Sequence, residues 1–506
     1  MTHGDHVAMP LTYFSTGSAT LDRSLGGGLP ERSVTVIAGE PGAGKTIFTL
    51  QMLFHWARQG YKNLYFTTLS EPALKLIRYM QLFSFFDLSL LDDRCHFLDL
   101  GSTLRTDGIE QGLAVIKEVV EREEPALVVI DSFKAIHDLL DASMPARSFV
   151  YDLAVHMAAW GATTFLVGEY TPEETRIHPE FTIADGIIRL TNRRQDLTTV
   201  REMEVYKLRG ADYMTGRHFF DIGSAGLTFY PRVQVPNVTE GLVIPLSDRV
   251  TTGVSGLDAL LQGGFPRGSA TLVEGGTGIG KTLLGLAFLI DGTRQEETGL
   301  LFTLDETPEQ LREIARGFGW DVAALEAQQR FLLSYTSPVE LSPDRFLHQI
   351  LSQIEALGAR RVVLDSLTTM ALGLSSDQRL RVLAYALVKY CRAAAVTLLM
   401  AMEVPELLGA SQLTGHGISS IADNVILMRY VEVGGQLQRA ISVLKARGVA
   451  HAKELHHLHI NTRGLEVGDP FTEFRGVLTG IPIPMQENPK RPQAPRQTQR
   501  RERRRS

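Results

Sequence analysis

The chain has 506 residues, 44% hydrophobic and 21% charged, with a formal net charge of −6. That is the make-up of a globular protein with several sizeable cores, about two to four domains by length. Two cysteines far apart, Cys95 and Cys391, exclude a disulfide framework and a cysteine-based zinc motif and suit a reducing compartment. Met1 to Pro10 shows no signal-like apolar segment, and no run reaches the roughly 18 apolar residues of a membrane span. A cytoplasmic location with no membrane partner is therefore expected.

In chain order, the first informative stretch is Val34-Thr35-Val36-Ile37-Ala38 followed by Gly39-Glu40-Pro41-Gly42-Ala43-Gly44-Lys45-Thr46. A β-branched strand, a G-x-x-x-x-G-K-[ST] loop and a helix-compatible run from Ile47 to Trp56 form the context of a phosphate-binding loop. The glycines let backbone N–H groups converge on an anion, and the helix N-terminus adds its positive end. Lys45 would reach the β- and γ-phosphates of a nucleotide, and Thr46 would hold Mg²⁺. Short apolar runs follow as strands, Asn63–Thr68, Leu127–Ile130 and Thr163–Gly168, with a helix over Gln111–Val120. Asp131, at the end of Ala126–Ile130, fits the carboxylate on the metal side of the nucleotide. Glu71 lies 26 residues after Lys45 and is the general-base candidate of this half, although counting back from Pro72 puts Ser70 at that position. Lys207 and Arg209, before Gly210, alternate on a strand, so that both cations face one side.

The same series then recurs. Thr252-Gly253 and Leu257-Asp258 repeat Thr16-Gly17 and Leu21-Asp22, and Gly263-Gly264-Phe265-Pro266 repeats Gly27-Gly28-Leu29-Pro30. A second phosphate loop, Gly275-Gly276-Thr277-Gly278-Ile279-Gly280-Lys281-Thr282, leads into Leu283. Lys281 and Thr282 repeat the roles of Lys45 and Thr46, Asp365 repeats Asp131, and Lys445 and Arg447 repeat Lys207 and Arg209. The offsets are 236 residues between the loop lysines, 234 between the aspartates and 238 between the strand lysines. So constant an offset means duplication of a domain of about 230 residues, each copy owning a core. The fold class is α/β: two tandem P-loop domains, each a mainly parallel sheet flanked by helices, with antiparallel strands added after Asp185 and after Asp423. The expected boundaries are residues 11–235 for the first domain, 236–246 for a linker carrying Pro236 and Pro245, 247–480 for the second domain, and 481–506 for a disordered basic tail.

The copies differ at one strand end. After Leu300–Leu304 the second half carries Asp305 and Glu306 before Thr307-Pro308, a carboxylate pair suited to general-base work beside the loop; Glu306 also stands as a metal-side group. His451, His456, His457 and His459 cluster without the matched spacing of a metal motif. From Lys490 to Ser506 there are eight Lys/Arg and one acid, which leaves −13 on the rest of the chain. An acidic body argues against a broad nucleic-acid surface. The tail is either a solubilising extension or the one contact for RNA, DNA or an acidic partner.

Tandem RecA-like halves, the acid pair before Thr-Pro, the Lys-x-Arg-Gly strands and Phe318-Gly319-Trp320-Asp321 together resemble the KaiC family of circadian-clock ATPases and autokinases, over about residues 12 to 480. The resemblance implies a double-ringed homohexamer with ATP between subunits and the Lys-x-Arg strand reaching the neighbour's nucleotide. It implies an ATPase first ring and a second ring that phosphorylates adjacent Ser/Thr residues of its own chain, here Ser419 and Ser420. It places Trp320, Arg439, Lys445 and Arg447 at ATP and Asp305 and Glu306 among the catalytic acids. Three departures stand out: Ser for Thr in the dyad, Asp for the first Glu, and the Arg-rich tail, which leaves regulatory partners open. The implied function is a Mg-ATP-dependent ATPase and serine/threonine autokinase acting as a signalling or timing switch. The alternatives are a DNA-acting motor or recombinase on the same fold and a nucleotide-gated binding scaffold.

Overall fold

A computed structural model describes residues 11–69, 73–91, 93–140, 146–195, 198–232, 244–338, 343–374, 376–404, 417–433, 435–472, 474–475 and 483–484. The chain divides into two compact units, Met1–Val233 and Gln234–Ser506. Among the described residues no helix is long and apolar enough to cross a membrane.

The first unit is built on a nine-stranded sheet. Its strands are β1 (Val34–Gly39), β2 (Asn63–Thr67), β3 (Cys95–Asp99), β4 (Leu127–Asp131), β5 (Thr163–Gly168), β6 (Gly186–Gln195), β7 (Thr198–Leu208), β8 (Arg217–Gly223) and β9 (Gly226–Tyr230). Their order is β9-β8-β7-β6-β1-β5-β4-β2-β3. The β1–β6 set is parallel, and β6 to β9 run antiparallel. The near-continuous apolar strands bury both faces. Ile37, Val129 and Phe165 enter one core with Phe48, Phe54 and Trp56 of helix α1 (Lys45–Arg58). Val36, Val128 and Leu166 enter a second core, which includes Ile116 and Val120 of helix α2 (Gly108–Glu123). Helix α2 contains the expected Gln111–Val120 and extends it at both ends.

The second unit repeats the design. Its strands are β10 (Ala270–Gly275), β11 (Gly299–Thr303), β12 (Phe331–Tyr335), β13 (Arg361–Asp365), β14 (Thr397–Glu403), β15 (Asn424–Val433), β16 (Gln436–Ala446), β17 (His456–Asn461) and β18 (Gly464–Pro470). The order β12-β11-β13-β14-β10-β15-β16-β17-β18 is that of the first sheet read from its other edge. Helix α3 (Lys281–Arg294) takes the place of α1, its Leu284, Leu286, Phe288 and Leu289 fully buried. Helix α4 (Pro308–Gly317) follows β11. The antiparallel extension after Asp185 and Asp423 is as expected: β6 and β15 have 10 residues each, β7 and β16 have 11 each.

Candidate active site

Each phosphate loop leaves the carboxyl end of the central strand and turns into its helix. Gly42 and Gly44 have φ of 73° and 94°, and Gly278 and Gly280 have φ of 70° and 115°, a region open to glycine and strained for residues with a Cβ. Between the glycines, Ala43 and Ile279 are fully buried and pin each loop to its core. Gly44 and Gly280 cap the helices with no side-chain hydrogen bond, so both N-termini present backbone donors and the positive end of the dipole. Lys45 Nζ donates to the carbonyls of Gly39 and Glu40 at 3.1 and 2.8 Å, and Lys281 Nζ to those of Gly275 and Gly276 at 2.9 and 2.8 Å. In the second loop the Thr277 hydroxyl donates to Glu403, and Leu283, which follows the loop, is buried.

Hydroxyl and carboxylate meet in both units. Thr46 Oγ1 donates to Asp131 Oδ2 at 2.8 Å, and Thr282 Oγ1 to Asp365 Oδ2 at 2.6 Å. Such hard oxygen donors fit Mg²⁺. In the first unit they line a cavity of about 730 Å³ shared with Lys45, Tyr65, Lys134 and Glu169.

Asp305 and Glu306 are placed by a turn and a cap. Thr303 Oγ1 accepts from Glu306 N at 3.1 Å and donates to Glu306 O at 2.9 Å. Thr307 then caps α4, its side chain and that of Gln310 forming a reciprocal capping box, worth about 1 kcal/mol. The acids therefore precede the helix rather than sitting in its first turn. Asp305 accepts from Ser366 Oγ at 3.1 Å and Thr369 Oγ1 at 2.6 Å. Glu306 is held above the usual carboxylate range by burial first, then by the charges of Asp365 and Asp305. Burial lowers Lys281, against the pull of Glu403, Asp365, Asp305 and Glu306. A carboxylate with raised proton affinity beside a phosphate cradle has the properties of a general base. Glu71, the general-base candidate of the first unit, and Ser70, the alternative at that position, lie outside the described residues.

The Lys-x-Arg pairs stand elsewhere. Gly275 lies opposite Met428 in β15, and Thr271 opposite Asn424, while Lys445 pairs with Val425 at the amino end of that strand. That is three residues, about 10 Å, from the level of Gly275. The Lys445 ammonium reaches the carbonyls of Ser419 and Ala422 at 2.9 and 2.6 Å, and Lys207 those of Thr182 and Ala184. The strands end at Ala446 and Leu208, and the arginines stand just beyond them; burial first, and then the charge of the neighbouring arginine, lowers the proton affinity of Lys445 and of Lys207. Arg447 lies 3.7 Å from Asp423, and Arg209 lies 3.2 Å from Asp185. Ser419 and the exposed Ser420 belong to a short turn at this same end, Ser420 Oγ donating to Gly417 O.

Arg439, across from Tyr430, is at the loop end of the sheet. Its guanidinium lies 5.5 Å from the Tyr430 ring, and Tyr430 Oη donates to Gly278 O at 3.0 Å. The buried Arg439 Nε has no hydrogen-bond acceptor, which fits an arginine facing an anionic ligand. Trp320 packs on Gly464, whose Cβ position is 3.3 Å from the ring; the next residue, Leu465, borders Gly280. Of the clustered histidines, His456 meets the Gly468 carbonyl, and His457 stacks on Phe471 at 3.6 Å and parallel to His459 at 6.1 Å.

Three features escape the motif search. Arg201, across from Asn192, is the first-unit counterpart of Arg439, and its Nε is also buried without an acceptor. Glu169 lies 3.7 Å from Lys45 and corresponds to Glu403. Tyr65 Oη donates to Asp131 at 2.6 Å. The repeat itself carries a signal for the first two: the offset is 238 from Arg201 to Arg439 and 234 from Glu169 to Glu403.

Comparison with known proteins agrees with this geometry. The family model for the KaiC ATPase matches residues 14–234 and again 250–471. The circadian clock oscillator protein KaiC of Thermostichus vulcanus is 31% identical over 468 residues, covering 90% of this chain and 89% of its own. The circadian clock protein KaiC3 of a Synechocystis strain is 30% identical over 481 residues, with 92% and 94% covered. With two RecA-like sheets, a phosphate loop in each and this similarity along nearly the whole length, the chain belongs to the KaiC family of ATPases, which bind ATP.

Proposed function

We propose that the protein is a Mg-ATP-dependent ATPase whose second unit also transfers the γ-phosphate to Ser419 or Ser420, in a homohexamer with ATP between subunits. The observation that carries this reading is the shared position of Ser419, Ser420, Lys445 and Arg447 at the strand end away from their own phosphate loop. A cation there serves a nucleotide held by another copy, and any copy that delivers Lys445 and Arg447 to a γ-phosphate delivers the serines with them. Arginine fingers supplied from a neighbour work in this way. Lys281 and the N-terminus of α3 hold the phosphates, Glu306 takes the proton from water or from the serine hydroxyl, and Asp305 is oriented by Ser366 and Thr369. Mg²⁺ held through Thr282 and Asp365 would neutralise charge developing on the transferred phosphate. The first unit, with Lys45, Thr46 and Asp131, hydrolyses ATP.

Phosphorylation gives each serine of the pair a charged and an uncharged state, and so suits a signalling or timing switch of the kind the names of the relatives denote. The test is ATP incubation of the purified protein, followed by native mass and phosphosite mapping. Six copies with phosphate on Ser419 or Ser420 are expected. Hydrolysis without modification of either serine removes the kinase assignment.

A further inference from the structure

His137 ends the short helix Phe133–His137 that follows β4, whereas His178 and Glu180 lie 41 and 43 residues further on, around the start of the helix Pro179–Ile183. The fold brings the three together. One ligand atom from each lies within 4.8 Å of the other two, and the two imidazole rings are 4.2 Å apart. His178 Nδ1 and Glu180 Oε1 are separated by 3.4 Å. The histidine side chains are 18% and 14% exposed, and the glutamate is fully buried. Tyr170 Oη donates to Glu180 Oε1 at 2.8 Å, which orients the carboxylate. Its other oxygen, Oε2, is buried without a hydrogen-bond partner, and so is His178 Nδ1.

A buried Glu180 Oε2 with no donor, and a buried His178 Nδ1 with no hydrogen bond and only Glu180 Oε1 at 3.4 Å, are costly unless something positive joins them. We propose that His137, His178 and Glu180 bind a divalent transition metal, with zinc the ion best suited to the ligand set. Two imidazoles and one carboxylate are borderline-soft donors of the kind zinc takes, with ligand bonds of about 2.0–2.2 Å and therefore ligand atoms about 3.3 Å apart in a tetrahedron. The His178–Glu180 separation already meets that spacing. The Tyr170 hydroxyl supplies the outer hydrogen bond that ligating carboxylates commonly carry.

Among the described residues this trio is found in the first unit. Counted from the strand-ending aspartates, His137 falls where the second unit has Ala371. The Glu180 segment runs directly into Phe181 and Thr182, the positions that correspond to Ser419 and Ser420. Where the second unit carries its serine pair, the first therefore carries a metal tether between the helix after Asp131 and the segment before Asp185. The same helix contributes Lys134 to the lining of the first-unit cavity, so a bound ion would stiffen one wall of that pocket.

The test uses full-length protein stripped by a chelator and titrated with Zn²⁺ alone, without nucleotide or Mg²⁺, against a chromogenic competitor. One zinc per chain is expected, with affinity reduced at least tenfold in both His137→Ala and Glu180→Gln and unchanged in His457→Ala. Alanine is the natural occupant of the matching position in the second unit, and glutamine retains an acceptor for Tyr170, so both variants should fold. Thermal melting provides a second reading: zinc should raise the first-unit transition of the wild type and leave that of His137→Ala unmoved. Zinc affinity equal in His137→Ala and wild type, or no zinc held against the competitor, overturns the assignment.

Discussion

Asp131 and Asp365 end equivalent strands and accept from equivalent threonines, yet their surroundings differ. In the first unit the buried Tyr65 adds a hydroxyl donor at 2.6 Å. In the second unit that position is Leu301, and burial, with the charge of Asp305 added to it, raises the Asp365 pKa. One site has its carboxylate satisfied by two hydroxyl donors, and the other gathers carboxylates around Lys281. The difference separates what any phosphate loop needs, a cradle and a metal-side acid, from what proton abstraction needs, a carboxylate kept from being fully satisfied.

The largest effect should come from the cations at the far strand end. Arg447→Ala should lower second-unit phosphoryl transfer by about 10³-fold or more, with ATP binding to its own loop retained. Mixing Arg447→Ala chains with Lys281→Ala chains should restore part of the activity, because each supplies what the other lacks. Activity confined to single chains, independent of mixing, would break the comparison at its root. Next in size, Glu306→Gln should cost about 10²–10⁴-fold in hydrolysis and serine modification, measured as turnover at saturating ATP, and leave first-unit hydrolysis in place.

A third contrast lies one residue before the second loop. Glu274 is buried in β10 where β1 has Ala38, and burial alone pushes its carboxyl up to about 7 from 4.5. The folded unit therefore keeps a proton that the unfolded chain loses, and stability falls as pH rises from about 4.5 to 7, then levels. Glu274→Gln should remove this slope and stabilise the second unit at pH 8 by about 3 kcal/mol at most. Hydrogen exchange of β10 at pH 5 and pH 8 would show it, with β1 as the internal control. The smallest effect is Tyr65→Phe, which deletes one donor to Asp131 and should destabilise the first unit by about 1.5 kcal/mol; calorimetry should find the second unit's transition unchanged.

Much of the site was legible because its parts are local in sequence. A strand, a glycine loop and a lysine at the start of a helix are contiguous, and duplication exposed Asp131 and Asp365 through their shared offset. The acid pair was legible too, though its separation from the first turn of α4 emerged only with the Thr307 cap. What escaped depends on register and topology. Arg201 and Arg439 reach the loop end because β7 and β16 pair antiparallel with β6 and β15, and no local pattern records that pairing. Lys445 is the last but one residue of β16 and Arg447 lies just past its end, so alternation along a strand covers only the first of the two. The histidines that drew notice, His456 to His459, are neighbours in sequence but bond to a backbone carbonyl and an aromatic ring. His137, His178 and Glu180 meet only through the fold.

The central claim is a division of labour between the two loops, and transfer of label from γ-labelled ATP tests it most directly. In samples matched for oligomeric state, the account predicts label on Ser419 or Ser420 in Lys45→Ala protein and none in Lys281→Ala. Label on those serines in Lys281→Ala, or on neither serine in wild-type protein that is hydrolysing ATP, would contradict it.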